Sequence, residues 1–568
     1  MYITAIPNRG SPPAILLREG YREGGKVKTR TLANLSKLPP QAVAAVRRVL
    51  KGETLISASD GFEAVASLHH GHVRAVLEAM GRLGFASLIA SRPSRQRDLV
   101  VAMVVARILE PDSKLATTRW WHLTTLPEGL GVADADEDDL YTALDWLLER
   151  QGRIEKKLAA RHLEEDAIAL YDLSSSYFEG VSCPLAALGY NRDGKKGKLQ
   201  VNYGLLTNPR GIPVSISVFE GNTGDPKTLL PQVAKVQKNF GIERFVLVGD
   251  SGMITQKQVE ALREIDGVDW IAALRPEAIQ KLLSSGAIQM GLFDERNLFE
   301  LTHPDFPGER LVACRNPEMA KRRARKRKSL LEATVQELEK VRRMLGQGRL
   351  HGKDAIGVRV GKVVNKYKVG KHFKLDIHDD RFDFEIDVDK VAAEAALDGI
   401  YVVRTSLPEQ RISADDTVRS YKLLGQVERA FRSLKSLDLK VRPIRHRLED
   451  RVRAHIFMCM LAYYVQWHMM EAWRPLLFGD EDQEAKKTRD PVARARRSKR
   501  ALQKVHSKTL EDGSEVHSFQ TFLKLLGGIV RNVCRVPGAP ADTPTFDVVT
   551  TPNAKQQRAY NLLKTIEV

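Results

Sequence analysis

The spacing of apolar residues changes several times along this chain, and each change predicts a different kind of element. Alternating runs at 14–21 and 26–32 flank Gly24-Gly25, the pattern of a small β-hairpin turning through positive φ. Lys26, Lys28 and Arg30 fall on one face of its second strand, a face that suits phosphate and solvent equally. From about 72 to 162 the period becomes helical. Leu140, Leu144, Leu147 and Leu148 recur at helical spacing, and Asp112-Ser113 offers a cap. This predicts an all-α segment with Trp120-Trp121 in its core. After Asp166, strands are predicted at 168–171, 199–206, 212–219, 245–249 and 270–274, with helical patterns at 229–239 and 256–265. Asn191-Arg192-Asp193-Gly194 and Asn208-Pro209-Arg210-Gly211 supply turns before the second and third strands.

The resulting order, β-β-β-α-β-α-β, is that of a ribonuclease H-like α/β core. It is interrupted from 276 to 397, where short strands are predicted at 299–301, 311–314, 373–377 and 382–386. Beside them lies a long charged helix ending near Gln347. It opens on Lys321-Arg322-Arg323-Ala324-Arg325-Lys326-Arg327-Lys328, the densest basic run in the chain. A helix that is polar nearly all round either bridges solvent or docks on something charged. A strand at 400–403 leads back to the core, and one helix at 415–436 carries Glu428. An amphipathic helix then runs to about 471.

Composition narrows the partner. A chain of 568 residues needs more than one core. Its formal net charge of +18 is spread over the segments, which favours nucleic acid over a polybasic membrane anchor. Cys183, Cys314, Cys459 and Cys534 form no C-x-x-C pair, so neither a zinc site nor a disulfide framework is expected, and a reducing compartment fits. The first residues lack a signal pattern, and the apolar stretch 455–467 falls short of the roughly 20 residues that span a bilayer. A cytoplasmic protein without membrane attachment is expected, and ATP dependence is not, since no G-x-x-x-x-G-K-[ST] loop occurs. The predicted organisation is a hairpin (1–40), a helical DNA-binding or dimerisation domain (41–165), the core's first part (166–275), a β-rich insertion (276–397), its second part (398–475), and a basic linker with a helical region (476–568).

The chemistry sits on acids. Asp172 follows the apolar run 167–171 and Asp250 the run 245–249, which places both carboxylates where strands leave the sheet. Ligand groups collect at such strand ends. Two carboxylates there form a hard-oxygen pocket suited to Mg²⁺. Phosphodiester cleavage uses two such ions roughly 3.5–4 Å apart, held by carboxylates from separate elements. Asp172 suits the bridging ligand, and Asp250 and Glu428 would each hold one ion. Each acid also has a plain reading: a turn or cap for Asp172, an Asp-x-Gly turn for Asp250, a surface pair with Arg432 for Glu428. Tyr421, Glu428 and Lys435 recur every seven residues and share one helix face, drifting about 20° per heptad. With Arg432 a turn beyond Glu428, that stripe sets phosphate-binding groups around a metal ligand.

These residues resemble a family. The segment Tyr421 to Lys435 is similar to the Y-x2-R-x3-E-x6-K signature of one branch of DDE-class bacterial insertion-sequence transposases, with Leu424 where the signature has arginine. Tyr171 to Gly180, Val218-Phe219-Glu220-Gly221-Asn222-Thr223, Gly249-Asp250-Ser251-Gly252-Met253 and the segment Tyr21 to Leu35 are also similar to that branch. The resemblance implies Asp172, Asp250 and Glu428 as catalytic metal ligands for two Mg²⁺ ions, with Mn²⁺ as a substitute. It implies binding of terminal inverted repeats, nicking to expose a 3′-hydroxyl, joining to target DNA, and a homodimer that cuts two ends together. Tyr421, Arg432 and Lys435, with Lys321, Arg322, Arg323 and Arg325 of the basic run, are the expected DNA contacts. Two other readings stand beside it: a catalytically inactive regulator derived from a transposase, kept open by Leu424, and a ribonuclease H-like nuclease without strand transfer.

Overall fold

The computed structural model describes the chain except residues 54–60, 294–295, 494, 539, 541 and 568 and the side chains of Lys486 and Lys487. It divides into two units, Met1–Leu68 with Val530–Thr550, and His69–Ile529 with Thr551–Val568. In the first, β1 (Tyr2–Asn8), β2 (Ser11–Glu23) and β3 (Lys26–Asn34) form an antiparallel sheet in that order. The turn at Gly24-Gly25 is present, both glycines having positive φ. The predicted hairpin gains a third strand, β1. Pro7, Pro12 and Pro13 obscure its pattern, although proline is tolerated at strand starts and edges. Lys28 pairs with Glu23 at 2.6 Å and Arg30 with Glu19 at 2.7 Å, so acids of β2 partly neutralise the basic face. A second sheet joins β4 (Glu63–His69) to Val530–Arg535 and then Phe546–Val549. The expected purely helical segments after 40 and after 476 therefore each contribute strand. These strands carry interior charge and lack clean alternation, which hid them.

The second unit is built on one mixed sheet. Strands β5 (Ala167–Tyr177), β6 (Gln200–Thr207), β7 (Pro213–Glu220), β8 (Phe245–Val248) and β9 (Val268–Ala273) match the five predicted runs. They lie in the order β7-β6-β5-β8-β9, with β5, β8 and β9 parallel and β6 and β7 antiparallel. All four residues of β8 are buried, as an unbroken apolar run requires of a strand covered on both faces. The helix Glu449–Ala472 is buried over most of its length from Val452 to Met469. It packs against β7 and the helices Arg95–Leu109 and Glu137–Leu148, which fuses the all-α segment and the sheet into one core.

The insertion differs from its β-rich expectation. Strands β10 (Leu298–Leu301) and β11 (Arg310–Arg315) extend the main sheet through β14 (Ile400–Thr405), giving the order β10-β11-β14-β9. β12 (Phe373–Ile377) and β13 (Phe382–Ile386) form a separate hairpin. The rest is mainly helix: the charged helix Pro317–Gly346 and a second, Lys353–Tyr367, whose valines disguise its period. These close a small core of their own around Leu338, Ile356, Val360 and Phe382. The basic linker is also anchored: Lys504 is buried, its ammonium donating to the carbonyl of Pro475 at 3.1 Å.

The centre of the sheet is tightly fitted. Gly204 on β6 lies against Tyr171, so a Cβ added there would stand 2.1 Å from the phenol oxygen. Gly204→Ala should lower unfolding stability by about 1–3 kcal/mol, since buried overpacking forces backbone or rotamer shifts. Denaturant unfolding checks this, and an unchanged midpoint would show that Tyr171 can swing aside.

Candidate active site

The first acid is not at a strand end. β5 continues to Tyr177, so Asp172 lies in mid-strand. The plain reading of Asp172 as a turn or cap does not hold, because Ser174-Ser175-Ser176 stay in the sheet, where the Ser176 hydroxyl meets the Tyr203 phenol at 2.8 Å. Pairing with β8 does stop near the acid. β5 and β8 run parallel through Leu170↔Val248, so Asp172 and Asp250 each lie two residues beyond the last registered pair. Neighbouring strands are about 4.8 Å apart, so the two acids leave adjacent backbones. Asp250 forms the expected Asp-x-Gly turn too: its Oδ1 accepts from the amides of Gly252 at 3.0 Å and Met253 at 2.8 Å. Asp172 Oδ1 accepts from the Leu173 amide at 2.7 Å.

The third acid comes from the other side of the sequence onto the same face. Asp172 pairs with Leu205 and Ser174 with Tyr203, so by alternation Asp172 and Tyr203 share one face of the sheet. The Tyr203 ring meets Phe431, three residues after Glu428, edge-on at 5.8 Å. Gly211, at φ +84°, adds a second anchor. Any Cβ there would approach that of Gln426 to 2.9 Å, so the turn before β7 presses directly on the helix that carries Glu428.

That helix is not the single element predicted. Ala414–Lys422 ends, Leu424–Arg432 begins afresh, and Ser433–Leu437 widens into a π-turn. The seven-residue stripe therefore does not run along one straight face. Tyr421 remains beside the acids: burial, then the charges of Asp250, Glu428 and Asp172, push its phenol up to about 12. Asp172 shows the same convergence. Burial, then Asp250, with a smaller contribution from Glu428, push its carboxyl up to about 7 against the opposing pull of the Leu173 amide and Arg192. Asp172 and Asp250 are half-buried and Glu428 is exposed. Asp172 feels the charge of both other acids. Among the described residues, however, no three His, Cys, Asp or Glu side chains are gathered closely enough to grip a metal ion.

Lys435 is held by a partner that the sequence did not suggest. Its ammonium pairs with Asp193 at 3.0 Å, and Arg442 pairs with the same carboxylate at 2.5 Å. Arg192, the neighbour of Asp193, grips Asp225 with one nitrogen 2.6 Å from both oxygens. The turn at 191–194 is thus a junction of ion pairs around the carboxylates, and only the long-range pairing reveals it. Arg432 is exposed, Leu424 packs against the core, and Lys321, Arg322, Arg323, Arg325 and Lys326 are exposed on their helix. Within the run, Arg327 alone turns inward, to Asp398 and Glu394.

Comparison with known families gives the arrangement a context. The family described as "Transposase DDE domain" matches residues 177–465, just over half of the chain. The chain belongs to the DDE transposase family. A second match, to the N-terminal domain of IS1634 family transposases, covers residues 3–60 and marks it as an insertion-sequence transposase. The first match includes Asp250 and Glu428 and begins just after Asp172. Among solved structures, the transposase is similar to a piggyBac transposase synaptic complex with hairpin DNA, at 10% identity and a TM-score of 0.34, covering 80% of this chain and 77% of that one. It is also similar to a Mos1 transposase paired-end complex with left transposon end, at 10% identity and 0.14, covering 34% and 66%. Likeness that distant adds nothing to the assignment. Curated proteins give no match. No helix among the described residues is long and apolar enough to cross a membrane.

Proposed function

We propose that this transposase cuts DNA at the ends of its element and joins the exposed 3′-hydroxyls to target DNA on a ribonuclease H-like core. Asp172, Asp250 and Glu428 are the proposed catalytic carboxylates. The observation that supports the reading is the β5–β8 pairing, which ends two residues before both Asp172 and Asp250, on a sheet whose Tyr203 packs against Phe431, three residues after Glu428. A divalent ion fits the donor chemistry. Burial, then Asp250 and to a lesser degree Glu428, raise the proton affinity of Asp172, and hard carboxylate oxygens suit Mg²⁺ or Mn²⁺. Bound there, such ions supply Lewis-acid activation of the attacking oxygen and stabilise charge on the leaving one.

The chain's own groups prepare that step. Asp172 must give up its proton to act as a ligand. Tyr421 keeps its phenolic proton at neutral pH and can donate it to a phosphate oxygen beside the acids. Arg432, exposed one turn beyond Glu428, offers a fork to the strand backbone. The basic helix Pro317–Gly346 adds a sequence-independent attraction for DNA. Two ends cut together call for two copies of the chain.

The test is a cleavage and joining assay with the full-length transposase, Mg²⁺ and duplexes carrying the inverted repeats that flank its gene. Nicks exposing a 3′-hydroxyl, followed by joining to a plasmid, are expected. Cleavage with no joining would favour the simple nuclease. Tight end binding with no cleavage in Mg²⁺ or Mn²⁺ would favour the inactive regulator.

A further inference from the structure

A cavity of about 540 Å³ lies between the helical segment around Arg107–Lys114 and the loop 440–448. Its wall holds seven lysine and arginine side chains against one carboxylate, Asp112. The innermost of these cations lack anionic partners. Lys114 is only 4% exposed, its Nζ touches the Met458 sulfur at 3.9 Å, and burial, then the charge of Arg107, push its ammonium down to about 7. Arg107, 6% exposed, donates one Nη to the Asp112 backbone carbonyl at 2.9 Å and leaves its buried Nε without a partner. His455 is equally buried, and its Nδ1 is also unpartnered. At the rim, Lys440 and Arg447 are exposed. Carboxylates outside the wall take up part of the remaining charge, Asp193 with Arg442 and Asp145 with Arg451 at 3.7 Å.

A buried ammonium without a counter-charge destabilises a fold and is retained only where something offsets it. The local field is strongly positive: burial, then the charges of Lys114, Arg107 and Arg451, push His446 down to about 3, so its imidazole is neutral and adds no further charge. The geometry points to a phosphate-binding pocket, with Lys114 and Arg107 as its floor and Lys440 and Arg447 as its rim, that takes a phosphate group from a DNA strand or from free phosphate. Buried cationic donors without carboxylate partners suit a compact oxyanion, which would offer them charge-assisted hydrogen bonds.

The pocket is separate from the carboxylates but tied to their strand. The Ile444 amide donates to the Tyr177 carbonyl at 3.1 Å, and the Glu179 amide donates to the Ile444 carbonyl at 2.8 Å. The loop that walls the cavity is thereby fastened to the end of β5, roughly 17 Å along the strand from Asp172 at about 3.3 Å per residue.

Lys114→Met, which keeps length and removes charge, tests the pocket in the full-length protein with EDTA present and ionic strength held constant. Inorganic phosphate should bind the wild type saturably by calorimetry and raise its melting temperature. It should bind Lys114→Met at least about tenfold more weakly. Without phosphate at pH 6, where Lys114 is charged in the fold, the variant should melt about a degree or more above the wild type, because the uncompensated charge is gone. A wild type that shows no saturable phosphate binding, or a folded variant that binds phosphate equally well, overturns the proposal. Should Lys114→Met fail to fold, Arg447→Gln at the exposed rim carries the same test, with phosphate binding weakened about threefold or more. Duplex DNA affinity then separates the two sources. A parallel loss of duplex binding assigns the pocket to a strand phosphate. Unchanged duplex binding assigns it to free phosphate.

Discussion

Asp172→Asn is expected to reduce Mg²⁺-dependent cleavage of element ends by on the order of a thousandfold or more, with DNA binding unchanged or slightly tighter. The amide keeps the size of the carboxyl but loses the charge that holds a divalent ion, and removing a negative charge cannot weaken attraction to phosphate. The same variant makes a second prediction in metal-free protein. Burial, and then Asp250, hold the Asp172 carboxyl near 7, so the folded state retains a proton that the unfolded chain releases near 3.8. The stability linked to that proton is fully present below the unfolded value and is lost as pH rises through 7. Ionised Asp172 is therefore the destabilising form above 7, and asparagine avoids it. In EDTA, Asp172→Asn should be more stable than wild type at pH 8, by on the order of 2 kcal/mol once partial solvent access is allowed for. At pH 4 the gain should vanish. Cleavage within tenfold of wild type would remove Asp172 from the ligand set, and a stability difference independent of pH would show that its carboxyl is not crowded by other acids.

Charge reversal of the exposed face of the long helix is the other large effect. Lys321, Arg322, Arg325 and Lys326 are exposed, whereas Arg327 is committed to Asp398 and Glu394 and should be left alone. Replacing those four with glutamate should weaken binding to any duplex by about a hundredfold at low salt. For every phosphate that the helix no longer neutralises, the plot of log affinity against log salt should flatten by about 0.9. The weakening should be equal for end sequences and for unrelated DNA, because groups that bind phosphate position the duplex without reading it. Fluorescence anisotropy over a salt series measures both quantities. An unchanged slope would make the helix a solvated arm, and weakening confined to end sequences would make it a reader of bases.

How much of this was legible in sequence depended on whether a feature was local. The five core strands announced themselves because each is an apolar run bounded by turn chemistry, and the acids at 172 and 250 stood out because each follows such a run. The continuation of β5 was hidden. Asp172 read as the end of its strand, and only the distant Tyr203 gives one of the three serines after it a partner within the sheet. The break at Leu423 was hidden as well, since the residues around it are good helix formers and packing decides where the helix restarts. Lys435 illustrates the same limit in charge. Its partner Asp193 sits in a turn motif on the far side of β6, and nothing in either local sequence connects them. Glu428 could be picked out only by its company, and it is the most exposed of the three acids.

The sheet that joins β4 to Val530–Arg535 has a consequence during synthesis. Roughly 460 residues separate its two contributing segments. At ~5–20 residues per second, a ribosome needs on the order of half a minute to a minute and a half to deliver the second after the first. Throughout that interval β4 presents an unpaired edge, of the kind that invites pairing with another chain. Only a ribosome that reaches the closing strands releases a chain with that edge covered, so a prematurely terminated product would carry the edge permanently and be marked for aggregation or proteolysis.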